Sequence, residues 1–161
     1  VQPDPFNDSM DQAGPYPGKG NQNEWGERFV GILERIMNSD SSVFRSQYDR
    51  GCHLEYPGGV SGHSYNDAEE FWMGLRSSLP SAKFTVEHQI GREDEQLSPR
   101  AAVRWNLKGK HDGWGIFGEP TGADLYVMGV THAEFGPWGL RREYTLFDET
   151  ALWKQIIIKT G

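Results

Sequence analysis

Residues 109–135 read GKHDGWGIFGEPTGADLYVMGVTHAEF. Five glycines fall between Gly109 and Gly122, and Pro120-Thr121-Gly122 is a turn signature. On both sides of this loop the chain alternates. Before it, over 100–111, Val103, Trp105, Leu107, Gly109 and His111 share one strand face, and Arg104, Asn106, Lys108 and Lys110 share the other. After it, over 124–135, Asp124, Tyr126, Met128, Val130, His132 and Glu134 alternate with Leu125, Val127, Gly129, Thr131 and Ala133. Two long strands around a glycine-rich loop predict an antiparallel hairpin. Matching hydrophobic partners sets Leu107 near Met128 and Trp105 near Val130, which brings His111 beside Asp124.

Outward from the hairpin, the order of elements gives the fold class. Trp25, Phe29, Ile32, Leu33, Ile36 and Met37 recur at helical spacing, and Asn38-Ser39-Asp40 ends that helix. Val43, Phe44 and Tyr48 suggest a shorter helix, and Cys52–Tyr56 a brief strand. Asn66 with Glu69 three residues on reads as a helix start; the helix carries Phe71, Trp72, Leu75 and Leu79 and stops at Pro80. Phe84, Val86, His88 and Ile90 alternate as a strand, and Arg141–Phe147 form the last one. Residues 149–159 fit a short helix or a strand extension. Helices first and a meander after predict an α+β domain. In it a curved, mostly antiparallel sheet, cone-shaped, wraps about three N-terminal helices and encloses a pocket.

Length and composition narrow the partners. A chain of 161 residues suffices for one domain with a sizeable core. Residues 1–23, rich in Pro, Gly, Asn and Asp, read as a flexible arm, and 24–161 as the domain. The net charge of −7 and the lack of a Lys/Arg cluster argue against nucleic acid. No apolar run reaches transmembrane length and no signal peptide is visible, so no membrane partner is expected. The single cysteine, Cys52, fits a reducing cytoplasm and reads as a small buried hydrophobe. The histidines are scattered, with no HxH or HExxH, and no phosphate-cradling loop occurs, so neither metal nor cofactor is expected.

Several stretches resemble the SnoaL-like polyketide cyclase group of the nuclear transport factor 2-like superfamily. They are Gly109-Lys110-His111-Asp112-Gly113, Pro120-Thr121-Gly122, and Arg142-Glu143-Tyr144-Thr145-Leu146-Phe147-Asp148-Glu149, with Trp105, Gln155 and the Leu75–Pro80 helix end in support. The resemblance spans roughly 24–158 and implies a cone-shaped pocket. It also implies metal-free, cofactor-free chemistry in which an Asp removes a proton α to a carbonyl, assisted by a His. Carried over, His111 matches the motif histidine and Asp124 approximately the acid; Ala123 stands where a basic residue is usual.

The residues themselves offer matching chemistry. A carboxylate in an apolar pocket is a stronger base for carbon acids, a setting that Trp105, Tyr126 and Met128 would give Asp124. His111 would polarise the carbonyl or shuttle the proton. Trp105, Leu107, Tyr126 and Met128 would line the pocket, with His88, His132 and Glu134 as further polar wall. Asp124 and His132 lie roughly 26 Å apart along an extended strand, so they cannot meet at one atom. Trp114, Ile116 and Phe117 would form an apolar lid or a dimer contact. Arg141, Arg142 and Glu143 read as a charge network on a sheet face. The first functional expectation is a cyclase, isomerase or dehydratase acting on a hydrophobic carbonyl compound. A non-catalytic small-molecule-binding module and a protein-interaction domain are the alternatives, with a homodimer through the sheet expected in each case.

Overall fold

The computed structural model describes residues 19–160. Helices α1 (Glu24–Met37) and α2 (Ser42–Gln47) lead into β1 (Tyr48–Tyr56) and β2 (Val60–Gly62). Helix α3 (Tyr65–Ser78) follows, then β3 (Lys83–Arg92), β4 (Arg100–Lys110), β5 (Asp124–Gly136), β6 (Gly139–Phe147) and α4 (Glu149–Thr160). The Asn23 side chain caps α1 by accepting from Trp25 N at 2.9 Å. Phe29, Ile32, Leu33, Ile36 and Met37 bury its apolar stripe, each side chain contributing about 1.5–3 kcal/mol. Tyr48 opens β1 instead of extending α2, α3 begins one residue ahead of Asn66 with Ser64 at its N-cap, and 149–160 is helical.

The six strands form one mixed sheet in the order β2-β1-β6-β5-β4-β3. Only β1 and β6 run parallel among its neighbours; the other pairs are antiparallel. The concave face buries Leu54, Tyr56, Val103, Trp105, Leu107, Leu125, Val127 and Phe135, in one core with the inner faces of α1 and α3. This is the α+β cone expected from the order of elements.

The register of the central hairpin differs by one residue from the hydrophobic match. Lys110 faces Asp124, Leu107 faces Val127, and Trp105 faces Gly129. The cause is the size of Trp105, whose indole lies across the neighbouring strand. A Cβ at position 129 would stand 2.2 Å from its Cζ2, so only glycine fits opposite it. With that pair set, Leu125, Val127, Thr131, Ala133 and Phe135 turn inward, and Asp124, Met128, Val130, His132 and Glu134 turn to the convex face.

A second correction concerns β3. Its register with β4 shifts between Val86 and His88, the signature of a bulge at Glu87. Phe84 and Val86 pair with Leu107 and Trp105, whereas His88 pairs with Arg104 and Ile90 with Ala102. His88 therefore leaves the face of Phe84 and Val86 that plain alternation assigned it.

Residues 1–18 of the expected arm lie outside the described residues. Its last residues pair with the edge of β3: Asn21 N donates to Gln89 O at 3.1 Å and Gln89 N to Lys19 O at 2.9 Å. The Asn21 amide then spans Gly91, donating to its carbonyl at 2.9 Å and accepting from its N–H at 3.0 Å.

Candidate functional site

The interior of the cone holds two polar centres in an otherwise apolar core. The first is Glu143, on the inner face of β6 and fully buried. Its carboxyl accepts from the Tyr48 hydroxyl, from Tyr56 Oη at 2.8 Å and from Trp72 Nε1 at 2.8 Å. β1 supplies both tyrosines and α3 the tryptophan. Burial pushes the Glu143 carboxyl above the usual carboxylate range, and the three donors pull the other way. The Tyr48 and Tyr56 phenols are raised well above their ordinary value, first by burial and then by the Glu143 charge. Cys52, on the same strand, is pushed up to about 12, again by burial and then by Glu143, so its thiol is inert. Half-buried Phe71 stacks on Tyr56 at 4.0 Å and on Phe147 at 6.2 Å, carrying an aromatic wall outward from the carboxyl.

The second centre is His111, also fully buried, where β4 runs into the glycine-rich loop. Its backbone closes the loop base: His111 N donates to Ala123 O at 2.8 Å and Gly122 N to His111 O at 2.9 Å. Its Nδ1 lies 3.0 Å from Thr121 Oγ1, which accepts from Ala123 N at 3.3 Å. The direction of the His111–Thr121 bond follows the imidazole tautomer: with the ring proton on Nε2, the Thr121 hydroxyl donates to Nδ1. Nε2 is buried with no hydrogen-bond partner, the sole such side-chain atom among the described residues.

The loop closes over His111. Phe117 is buried with its ring edge-on to the imidazole at 6.0 Å, and Trp153 of α4 packs against its other side at 5.8 Å. The loop lies flat on the end of α3, where Ile116 N donates to Gly74 O at 3.2 Å and Phe117 N to Ser78 Oγ at 3.4 Å. A Cβ at Gly115 would stand 2.1 Å from Gly74 O, so this contact requires glycine.

The remaining expected site residues divide between inside and outside. Trp105, Leu107 and Phe117 line the interior. Tyr126 is buried, its backbone held by Gln155 of α4, and its hydroxyl lies 3.3 Å from Glu87 Oε1. Trp114 is exposed on the loop. Met128 and His132 lie on the convex face, and Glu134 there pairs with Arg141 at 2.9 Å and Arg142 at 3.5 Å. Asp124 is 64% exposed and pairs with Lys110 at 3.1 Å. The structure therefore does not bring Asp124 and His111 to one face, because the one-residue register shift turns the Asp outward. Of the charge network expected around Arg141, Arg142 and Glu143, the two arginines take part and Glu143 does not. Glu143 is the buried acid that sequence reasoning missed. Among the described residues no three His, Cys, Asp or Glu side chains gather as a metal site.

By sequence, no family model and no curated protein matches the chain. By structure, the fold is similar to that of solved proteins assigned as SnoaL-like polyketide cyclases. A protein from Jannaschia sp. CCS1 assigned as a SnoaL-like polyketide cyclase is 17% identical, with a TM-score of 0.66 over 84% of this chain and 96% of its own. IdmH from Streptomyces antibioticus, assigned as a polyketide cyclase, is 15% identical, with a TM-score of 0.64 over 83% of this chain and 99% of its own. AclR from Streptomyces galilaeus, assigned as a hydroxylase, is 14% identical, with a TM-score of 0.62 over 83% of each chain.

Proposed function

We propose that this protein binds a hydrophobic small molecule carrying a carbonyl oxygen inside the cone, with His111 Nε2–H as the anchoring donor. The carrying observation is the unpartnered Nε2. In the Nε2–H tautomer this is a buried donor left unpaired, at a cost of about 1–3 kcal/mol that a ligand carbonyl would recover. The loop over 112–118 is then the lid: Phe117 must leave the imidazole for a ligand to reach it. The structural neighbours, which include proteins assigned as polyketide cyclases, support a pocket of this kind. The test is a titration with a panel of polycyclic ketones on the wild type and on His111→Phe. Saturable binding that His111→Phe abolishes supports the reading, and unchanged binding in the variant refutes it.

A second reading, cofactor-free acid–base catalysis of the cyclase, isomerase or dehydratase type, has its own observation. Glu143 is a fully buried carboxyl facing three neutral donors, and burial, which raises a carboxyl's pKa, makes it a stronger base toward a carbon acid. In this reading Glu143 takes the role first expected of Asp124. The two centres stand well apart. Trp72, which holds Glu143, and Ser78, which holds Phe117, are six residues apart on α3, about 9 Å along its axis. That separation suits a long or polycyclic ligand touched at both ends. Glu143→Gln should then abolish turnover of a bound ketone while sparing its binding; unchanged turnover would remove Glu143 from the chemistry.

Homodimerisation through the convex face belongs to the same proposal. Met128, Val130, Tyr144 and Leu146 form an apolar patch there, with Val130 paired to Leu146. No helix among the described residues is long and apolar enough to cross a membrane, and a reducing cytoplasm is the proposed setting for the lone, inert Cys52.

A further inference from the structure

Outside the cone, helices α2 and α3 face each other across an open cleft of about 440 Å³. Arg45 and Ser46 come from α2 and Ser41 from its N-cap, and Tyr65, Asn66 and Glu69 from the first turns of α3. The spacing explains the facing: Ser41 and Arg45 are four residues apart, as are Tyr65 and Glu69, so each pair shares a side of its helix. Both sides are polar, although each helix buries its other side in the core through Val43 and Phe44 on α2 and Ala68 and Trp72 on α3.

The charges on the two walls are opposite and unpaired. Arg45 and Glu69 have no ion pair or hydrogen bond, with each other or with any other described residue. Neighbouring surface pairs do close, as Arg35 does onto Asp40 at 2.8 Å. The Tyr65 hydroxyl, half-buried against the core, and the Asn66 amide are likewise without partners among the described residues. A ligand with only an anionic group would meet Arg45 but be repelled by Glu69, and one with only a cationic group the reverse. A ligand carrying both charges satisfies both walls. The volume lies within the range of small-molecule sites.

We propose that this cleft is a second binding site, for a small zwitterion. Arg45 holds the carboxylate by paired N–H donors, helped by the serine hydroxyls and the Asn66 amide, and Glu69 accepts from the ammonium group. The proposal is independent of the interior site proposed above.

The test is an NMR titration of the full chain with glycine, β-alanine and γ-aminobutyrate, zwitterions of increasing charge separation. Acetate and methylammonium are the single-charge controls. The expected result is saturable shifts confined to 41–46 and 65–69 with one zwitterion. Its affinity should fall about tenfold or more in Arg45→Gln and again in Glu69→Gln, as loss of a charged hydrogen bond implies. Both substitutions lie on the surface, and circular dichroism checks that they fold. The absence of saturable shifts with all three zwitterions overturns the proposal. So do equal shifts with a single-charge control, or affinity that survives both substitutions.

Discussion

Gln155 of α4 stands in for a missing strand beside Tyr126 of β5. Its Oε1 accepts from Tyr126 N at 2.8 Å and its Nε2 donates to Tyr126 O at 3.1 Å. The pairing of β6 with β5 ends where Phe147 faces Gly129, so residues 124–128 have no strand on that side. A primary amide carries the donor and acceptor of a peptide group, which lets one side chain close a buried strand edge.

Replacing Gln155 by Leu should remove both bonds to the Tyr126 backbone and lower stability by about 2–4 kcal/mol. Urea unfolding measures the loss, and hydrogen exchange should show the Tyr126 amide newly labile. A Tyr126 amide that stays protected would mean that another group holds this edge.

Glu143 makes stability depend on pH. Its carboxyl is raised in the folded state by burial, so the folded protein keeps a proton that the unfolded chain releases. The stabilisation is therefore full below about pH 4.3, the unfolded value, and is lost as pH rises through the folded-state pKa. Unfolding free energies of wild type and Glu143→Gln, compared across pH, should show the wild type losing ground above about pH 4.3, by up to about 1.4 kcal/mol per pH unit. Parallel curves would mean that Glu143 does not titrate differently on folding.

His111→Phe separates binding from folding. It removes the unpaired Nε2 along with the Thr121 bond, and these effects oppose each other. Stability should change by no more than about 1 kcal/mol, while ketone affinity falls at least about tenfold. Thermal unfolding and fluorescence titration measure the two sides. A large loss of stability with binding intact would make His111 structural.

The proposed lid rests on a backbone contact that tolerates no side chain. In Gly115→Val the added atoms collide with Gly74 O, so the loop should lift from α3. Hydrogen exchange over 112–118 should accelerate, and an apolar dye should gain access to the pocket, with the rest of the fold retained. Unchanged exchange in this segment would argue against an opening loop.

On the convex face, Leu146→Glu puts a charge in the middle of the exposed apolar patch. Light scattering should show a dimer for the wild type and a monomer for the variant, with little change in folded stability. If wild type and variant have the same mass, the patch is not the dimer contact.

Much of the architecture was legible in the amino-acid order. The stripe of α1, the long strands at 100–111 and 124–135, the glycine-rich loop between them and the helices-then-sheet order all follow from apolar periodicity, because each element must bury one face. That Trp105 and Leu107 share a strand face followed from the same alternation, and both are buried. Two features of the site did not, and both are facts about pairs of residues distant in sequence. Which face of β5 turns inward depends on Trp105 meeting Gly129, a packing contact that outweighs the apolar match of Trp105 with Val130 and carries Asp124 out to solvent. That Glu143 is a buried acid depends on Tyr48, Tyr56 and Trp72 converging on it across 71 to 95 residues of chain. Read locally, Glu143 belongs with Arg141 and Arg142 to a charge network on a sheet face. The local pattern thus determined the elements, and tertiary packing decided which charges they enclose, because burying a carboxyl is tolerable only where donors from elsewhere in the fold surround it.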